Sequence, residues 1–243
     1  MPYDAPLDEM AFTLEAVAGL KRLEGLAGLE AYDPELVMPI LEEAGKLARD
    51  VLAPLNQSGD SQGVVLTEDG VKAAPGFAEA YAAFRDGGWM GLTAPEKWGG
   101  QGLPKALSLA VMEMFHAANM AFALCPMLSF GAVDALLAHG TDELKVAYLP
   151  NLVAGTWTGT MNLTEPQAGS DVGALKTKAV PQEDGSYAVS GQKIYITWGD
   201  HDVAENIVHL VLARLPDAPA GVRGLSLFAV PKFLVNADGS IGE

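Results

Sequence analysis

The sequence predicts an α+β fold, in which an all-α domain over residues 1–155 is followed by an all-β, barrel-like domain over residues 156–243. Apolar residues recur at helical spacing as far as Gly155. Beyond it, short β-rich runs are separated by turns of Gly, Asp and Pro. A run of helices followed by a run of strands indicates an α+β arrangement or two packed domains.

Helix ends in the first domain are marked by residues that favour them. Asp33-Pro34 and Thr141 are typical of helix starts, whereas Gly87-Gly88 and Gly140 are typical of helix ends. Pro39 either kinks the second helix or marks its true start, and Pro54 ends that helix. The predicted helices cover residues 7–30, 33–52, 76–86, 104–118, 130–139 and 141–153, and the loop 55–75 holds a short strand over Val64–Leu66.

The second domain is predicted to contain five strands and a tight turn. Glu183-Asp184-Gly185-Ser186 has the composition of a hairpin turn. The last residues, 235–243, resemble a hairpin cut in its middle. The strands are expected over 156–163, 175–180, 186–197, 207–214 and 224–230.

The composition of the chain disfavours or excludes several kinds of binding partner and site. The chain has 243 residues and a net charge of −16, which disfavours binding to nucleic acid or to anionic membranes because both need clustered Lys and Arg. Its single cysteine, Cys125, excludes an internal disulfide and a Cys-rich metal site, and its apolar surroundings predict a buried, inert thiol. Neither a secretory signal nor a stretch near the ~20 apolar residues of a membrane span is recognised, so we expect a cytoplasmic protein.

The stretch Met161–Asp171, MNLTEPQAGSD, carries the strongest candidate site. A β-type run feeds a turn in which several backbone N–H groups can point one way and bind an anion. The hydroxyls of Thr164 and Ser170 flank that turn. The alternative is an ordinary turn whose Asp and Ser bond their own backbone.

A second stretch, Gly191–Thr197, makes the pattern specific. "NLTEPQAGSDVGALKTKA" followed by "YAVSGQKIYIT" closely resembles the acyl-CoA dehydrogenases. The resemblance continues upstream through "GWMGLTAPEKWGGQGLP" and "HGTDELKVAYLPNLVAGTW" and covers most of the chain from about Glu35. The opening "YDAPLDEMAF" resembles the longer bacterial branch that includes 3-methylmercaptopropionyl-CoA dehydrogenases.

The resemblance implies FAD as cofactor. Thr164 and Thr197 fall where the family's threonines bond the edge of the isoalloxazine ring. Ser170 falls where a serine approaches the pyrophosphate and the acyl-CoA. Tyr195 stands where the family usually has a tryptophan against the ring, and this departure leaves a smaller aromatic face. The implied flavin-lining residues are Met161, Asn162, Leu163, Thr164, Gly169, Ser170, Tyr195, Ile196 and Thr197.

Physical reasoning supports this assignment. A flavin needs hydrogen bonds at its ring edge and an apolar or aromatic wall at its face. Strand alternation would place Tyr195 and Thr197 on the same side of one strand, where one could wall the ring and the other bond its edge. The alternative for each is an ordinary strand aromatic or hydroxyl.

Other polar residues are assigned structural roles. Glu165 is expected to anchor its loop through bonds to backbone or lysine, because the resemblance places the catalytic base, a glutamate, beyond Glu243. Lys176, Lys178 and Lys193 are expected to be solvated charges on strand faces. Asp200-His201-Asp202 lacks metal-ligand spacing, so no metal is expected. His116, His139 and His209 share no spacing, and no Ser-His-Asp arrangement is supported.

The resemblance also implies a reaction and partners. A glutamate removes the α-proton of an acyl-CoA, the β-hydrogen leaves as hydride to the flavin, and a trans-2-enoyl-CoA results. Electrons then pass to a carrier such as electron-transferring flavoprotein. The family's C-terminal helical bundle, which supplies the base and the homo-oligomer interface, is absent here, so we expect these 243 residues not to turn over.

Three alternatives stay open at this point. An acyl-CoA oxidase or a flavin monooxygenase would share the fold. A non-catalytic flavin- or acyl-CoA-binding module would share the site. A structural interaction protein with an acidic surface would need neither.

Overall fold

The structure is a computed structural model that describes residues 3–236 and 239–242. Helices fill the first part of the chain and strands the last part, which confirms the predicted α+β class. The helices are α1 (Leu7–Phe12), α2 (Val37–Leu47), α3 (Ala53–Gln62), α4 (Phe77–Asp86), α5 (Lys105–Ala118), α6 (Met120–His139) and α7 (Asp142–Ala154). The strands are β1 (Val65–Thr67), β2 (Gly70–Lys72), β3 (Trp157–Asn162), β4 (Lys178–Pro181), β5 (Tyr187–Ser190), β6 (Asn206–Arg214) and β7 (Leu225–Pro231).

The first predicted helix is much shorter than the 7–30 pattern indicated. α1 continues as a π-helical turn, Thr13–Val17, and the helix stops there. Gly19 then adopts a left-handed φ of 69°, which a helix cannot contain. Only a short 3₁₀ turn, Leu20–Leu23, follows before the chain becomes irregular. The apolar spacing was therefore real, but glycine interrupted the helix.

Pro54 does not end the second helix, contrary to the sequence prediction. α2 runs into a π-helical turn, Ala48–Leu52, and then directly into α3, which reaches Gln62. Proline lacks the N–H that an α-helix would bond, and the widened π turn just before it accommodates that loss. The buried Asn119 side chain donates to the Leu52 carbonyl at 3.1 Å. Much of the predicted loop 55–75 is consequently helix, followed by the hairpin β1–β2.

α6 begins ten residues earlier than the sequence predicted. Asn119 caps it by accepting from the Phe122 N–H at 3.0 Å, and Pro126 lies inside it. By length and composition α6 is apolar enough to cross a membrane, with a mean hydropathy of 1.8, a stretch that the sequence analysis overlooked. In this fold its buried face packs against β3, α5 and α7, as the central helix of a core does.

The helical core is an aromatic and aliphatic cluster between α2, α4, α5 and α6. Phe84 contacts Phe115 and Phe122 edge-on, with ring centroids about 6 Å apart, a preferred aromatic geometry. Cys125 is buried in this cluster. Burial raises the pKa of the Cys125 thiol well above its usual range, so the prediction of an inert, buried thiol is confirmed.

β6 is the centre of an open five-stranded sheet. β3 pairs with it in parallel, with Trp157 opposite Asn206, and β7 pairs antiparallel along its other edge. β4 joins β6 at Arg214, beyond the end of β3, and β5 pairs antiparallel with β4. The described strands do not close into the barrel that the sequence analysis expected, since pairing stops at β5 on one side and β7 on the other.

β3 lies directly against α6, and this contact fixes the position of the strand relative to the helices. The Gly159 N–H donates to the Ser129 hydroxyl at 2.9 Å. A Cβ at Gly159 would lie only 2.4 Å from the Ala132 Cβ, so glycine permits the close approach. The carboxyl end of β3 is thereby held beside the helices.

The predicted terminal hairpin has its two arms paired. Val235 forms an antiparallel bridge with Ile241, and the Asn236 N–H donates to the Ser240 carbonyl at 2.8 Å. Ala237, Asp238 and Glu243, which the prediction also covered, lie outside the described residues.

Candidate cofactor site

The first site stretch, Met161–Asp171, begins at the end of β3. Met161 and Asn162 are its last two strand residues, opposite Leu210 and Val211 of β6. The Thr160 hydroxyl donates to the Asn162 side-chain oxygen at 2.6 Å and lies 2.7 Å from Nδ1 of His209. Because that hydroxyl proton is already used, Nδ1 of His209 acts as the donor. Burial lowers the pKa of His209, so a neutral imidazole fixes the strand end.

The loop after β3 closes on itself. The Glu165 N–H donates to the Ala168 carbonyl at 2.9 Å, and the Ala168 N–H returns a bond to the Glu165 carbonyl at 3.0 Å. Pro166 and Gln167 form the exposed tip, whereas Ala168 is fully buried. The reciprocal pair gives the loop one defined shape before any ligand is considered.

The Glu165 carboxylate anchors this loop to β4 and to the second stretch. It accepts from the Lys176 N–H at 2.6 Å, the Thr177 N–H at 3.0 Å, the Thr177 hydroxyl at 2.5 Å and the Lys193 ammonium at 2.9 Å. Burial alone would raise the pKa of Glu165, but these bonds outweigh it and lower the pKa to about 2. The predicted anchoring role is confirmed.

Lys193 corrects the sequence prediction. It was expected to be solvated, yet its side chain is only 9% exposed. Its ammonium donates to the Leu163 carbonyl at 3.0 Å as well as to Glu165. A buried carboxylate needs an opposite charge, and Lys193 supplies it. Lys176 and Lys178 do have exposed side chains, as predicted.

The second site stretch, Gly191–Thr197, is not a strand. β5 ends at Ser190, because the backbone after it no longer pairs with β4. Tyr195 has a left-handed φ of 57°, so strand alternation does not govern where it and Thr197 point. The prediction that they share a strand face is wrong. Tyr195 is 89% exposed, and its ring is open to a ligand or partner.

A backbone hydrogen bond joins the two stretches. The Ile194 N–H donates to the Thr164 carbonyl at 3.0 Å. Together with Lys193, this bond places Leu163 and Thr164 beside the segment that leads into Tyr195, Ile196 and Thr197. Gly169 and Ser170 are exposed on the same loop, but no hydrogen bond within residues 3–236 links them to that segment.

Several donors at the site have no partner inside the described part of the chain. They are the hydroxyls of Thr164, Ser170 and Thr197 and the backbone N–H groups of Gly169, Ser170 and Asp171. A Cβ at Gly169 would meet nothing within 4 Å, so packing does not require glycine there. Neutral hydroxyls and clustered N–H groups suit a polar ring edge and a phosphate respectively.

Sequence reasoning missed the structural role of the residues just after the second stretch. It considered Asp200-His201-Asp202 only as a possible metal cluster, which it rejected, and assigned these residues no other role. Instead Asp200 and Asp202 accept from the Val71 and Ala73 N–H groups of the β1–β2 hairpin, at 3.1 and 2.9 Å. Turn composition predicts only local bonds of an aspartate to its own backbone, so nothing in this stretch indicated partners 129 residues away.

Comparison with known proteins gives the family. Residues 39–156 match the family model for the N-terminal domain of acyl-CoA dehydrogenases, and residues 160–239 match the model for their middle domain. The chain belongs to the acyl-CoA dehydrogenase family. The resemblance drawn from residues 161–170 and 191–197 is thereby confirmed.

Individual relatives extend this membership. The chain is 47% identical to the 3-methylmercaptopropionyl-CoA dehydrogenase of Ruegeria pomeroyi over its whole length, which is 41% of that protein. It is 39% identical to a butyryl-CoA dehydrogenase of Syntrophomonas wolfei, covering 81% of this chain and 33% of that one. This acyl-CoA dehydrogenase chain therefore spans well under half the length of these relatives.

A solved structure agrees in fold. The acyl-CoA dehydrogenase of Bacillus anthracis, complexed with FAD, superposes with a TM-score of 0.66 at 26% identity, covering 84% of this chain and 31% of that chain.

Proposed function

We propose that this chain forms the N-terminal helical and middle β parts of an FAD-dependent acyl-CoA dehydrogenase, which converts an acyl-CoA thioester to a trans-2-enoyl-CoA. The observation that carries the proposal is the joining of the two site stretches by Lys193 and by the Ile194–Thr164 bond. In this arrangement the Thr164 and Thr197 hydroxyls have no hydrogen-bond partner among the described residues.

The residues present fit FAD. Thr164 and Thr197 would bond the ring edge, Tyr195 would face the ring, and the N–H groups beside Ser170 would hold the pyrophosphate. Met161, Asn162, Leu163, Gly169 and Ile196 complete the proposed lining. When bound, FAD would accept the hydride that leaves the β-carbon of the substrate. Ser170 is also proposed to approach the acyl-CoA.

Glu165 is not the base. Its carboxylate accepts bonds from two backbone N–H groups, a hydroxyl and an ammonium, and its pKa is about 2, so it would hold the α-proton poorly. We place the base, a glutamate, in the part of the relatives' length that this chain does not span. The 243 residues alone are then expected not to oxidise acyl-CoA.

Partners follow from the same proposal. Electrons collected from the substrate would pass to an electron-transferring flavoprotein, and the complete protein would be a homo-oligomer acting in fatty acid metabolism in the cytoplasm. We assign the substrate only as an acyl-CoA, because the relatives' names specify different acyl groups.

The first test is the visible absorption spectrum of the natively purified 243-residue chain, with added FAD and then with anaerobic acyl-CoA. We expect FAD to bind with a perturbed flavin band that acyl-CoA does not bleach. Thr197→Val should weaken FAD binding about fivefold, the effect of one lost hydrogen bond. Thr13→Val is the matched control, because Thr13 is exposed on the first helix, remote from the site in sequence and without contact to it.

The results of these experiments distinguish the proposed site from the alternative functions. A folded chain that binds no FAD, or a Thr197→Val variant that binds like Thr13→Val, would contradict the proposed site. Bleaching by acyl-CoA would show that a base lies within these residues and would reopen Glu165. For the longer protein, peroxide release in place of transfer to an electron-transferring flavoprotein would identify an oxidase.

A further inference from the structure

The two non-glycine residues with positive φ in the described chain bracket the proposed flavin contacts. Tyr195 has φ 57° and Trp198 has φ 53°, with Ile196 and Thr197 between them. A left-handed conformation costs a bulky L-residue roughly 1–3 kcal/mol and persists only where surrounding contacts enforce it. Contacts around residues 195–198 must therefore hold this segment in its strained conformation.

Trp198 provides the main contact. Its indole N–H donates to the Ala121 carbonyl, near the start of α6, at 2.9 Å. Its ring stacks on Phe77 of α4, with centroids 6.1 Å apart and planes 25° apart. The residue next to Thr197 is thus fixed to two helices of the N-terminal domain rather than to its own sheet.

The residues that follow extend this attachment. We call residues 198–202 the anchor segment. Asp200 and Asp202 bind the β1–β2 hairpin through the Val71 and Ala73 N–H groups. Lys232, just after β7, donates to Asp200 at 2.5 Å. The anchor segment therefore connects helices, hairpin and sheet within five residues.

His201 fixes the anchor segment to β3. Its Nδ1 accepts from the Val203 N–H at 3.3 Å, which leaves Nε2 to donate to the Thr158 hydroxyl at 2.9 Å. The imidazole also meets the Trp198 ring edge-on, with centroids 5.3 Å apart. Trp198 is thus contacted by Phe77 and by His201 and is bonded at its N–H, and these contacts hold it in its left-handed conformation.

We infer that Trp198 is a positioning residue, which sets the orientation of Thr197 and Tyr195 by fixing the backbone of the second stretch against α6. This inference rests on the proposed FAD site. An ordinary domain contact would not need the two residues flanking Ile196-Thr197 to be strained. Here the strain and the anchoring bond both fall on the segment proposed to meet the flavin. The orientation of the site therefore depends on the seating of the helical domain on the sheet.

Trp198→Phe tests the inference, because it keeps an aromatic ring against Phe77 while it removes the indole N–H together with part of the ring area, a loss of area that the control below shares. We expect exchange of the Ile194 and Gly199 amides, which donate to the Thr164 and Ile196 carbonyls at 3.0 and 3.1 Å, to quicken about fivefold. FAD binding should weaken about fivefold, the effect of one lost hydrogen bond. Trp198→Gly accepts the left-handed φ without strain but loses the anchor, so it should loosen the segment further.

Trp89→Phe is the matched control. Trp89 packs edge-on against Phe115 within the helical core and does not touch the anchor segment. If Trp198→Phe lowers the melting temperature like Trp89→Phe but leaves exchange at Ile194 and Gly199 and FAD affinity unchanged, Trp198 only packs and the inference is wrong. Exchange is measured without flavin. A wild-type chain that binds no FAD would therefore refute the proposed function, while the exchange data would still decide whether Trp198 orders residues 195–199.

Discussion

Replacing Glu165 by glutamine should be the most informative single change in the loop that follows β3. The carboxylate is 3% exposed and accepts from two backbone N–H groups, a hydroxyl and the Lys193 ammonium. Glutamine keeps the size but presents an NH₂ group to partners that are themselves donors. It also leaves the buried Lys193 charge uncompensated.

The size of the loss follows from the carboxylate's surroundings. Lowering the pKa of Glu165 from 4.5 to about 2 corresponds to about 3 kcal/mol of stability at neutral pH. Removing one partner of a buried ion pair typically costs 3–5 kcal/mol. We therefore expect Glu165→Gln to lower the free energy of unfolding by about 3 kcal/mol or somewhat more at pH 7.

The direction of the Glu165 pKa shift determines how this stability difference changes with pH. Because the folded pKa of Glu165 is depressed, its stabilisation is fully present above the unfolded value near 4.5 and is lost as pH falls toward 2. The stability difference between wild type and Glu165→Gln should therefore be constant above about pH 5.5 and shrink between about pH 5 and 2.

Urea unfolding followed by circular dichroism, across that pH range, measures the difference. Glu183→Gln is the matched control, since Glu183 is exposed in the turn between β4 and β5. A double-mutant cycle with Lys193→Met should give a coupling of about 2 kcal/mol. A loss below 1 kcal/mol at pH 7, or a difference that does not change with pH, would refute the anchoring role of the Glu165 carboxylate.

Two further predictions concern glycine and histidine. Gly159→Ala should lower the free energy of unfolding by about 1–3 kcal/mol in urea, because the new Cβ would lie 2.4 Å from that of Ala132. Gly169→Ala, by contrast, should change that free energy by no more than about 0.5 kcal/mol and should weaken FAD binding. Equal losses of stability in the two variants would contradict the packing described. Burial lowers the pKa of His201 to about 4, so its imidazole should stay neutral down to about pH 5 by NMR titration. Because its folded pKa is depressed, stability should fall as pH drops from about 6.5 to 4, and a titration near 6.5 would refute the burial.

The sequence predicted elements well where the pattern is local. The hydroxyl of Thr141 caps α7, as its position before an acidic first turn indicated. β3, β6 and β7 lie within a residue or two of their predicted bounds. These features depend on side chains close together in the chain, which is the information that periodicity and capping rules contain.

Predictions failed where a distant partner decides the outcome. Lys193 was taken as solvated because nothing in its own stretch shows that Glu165, 28 residues earlier, needs a counter-ion there. The strand through Tyr195 and Thr197 was extrapolated from β5, whereas the anchor at Ala121 bends that segment away from the sheet. The resemblance located the site stretches, but not the contacts that shape them.

The parallel pairing of β3 with β6 also determines the order in which the chain can fold. The long connection between them contains β4, β5 and most of both site stretches. Local contacts such as the β4–β5 hairpin can form early, while a parallel pair across so long a connection must wait for loop closure. Until then the edge of β6, Asn206–Arg214, that β3 covers is unpaired even when β7 has paired with the other edge, and an open edge on an apolar strand favours intermolecular association. The pairing that positions the first site stretch therefore also covers this edge of β6.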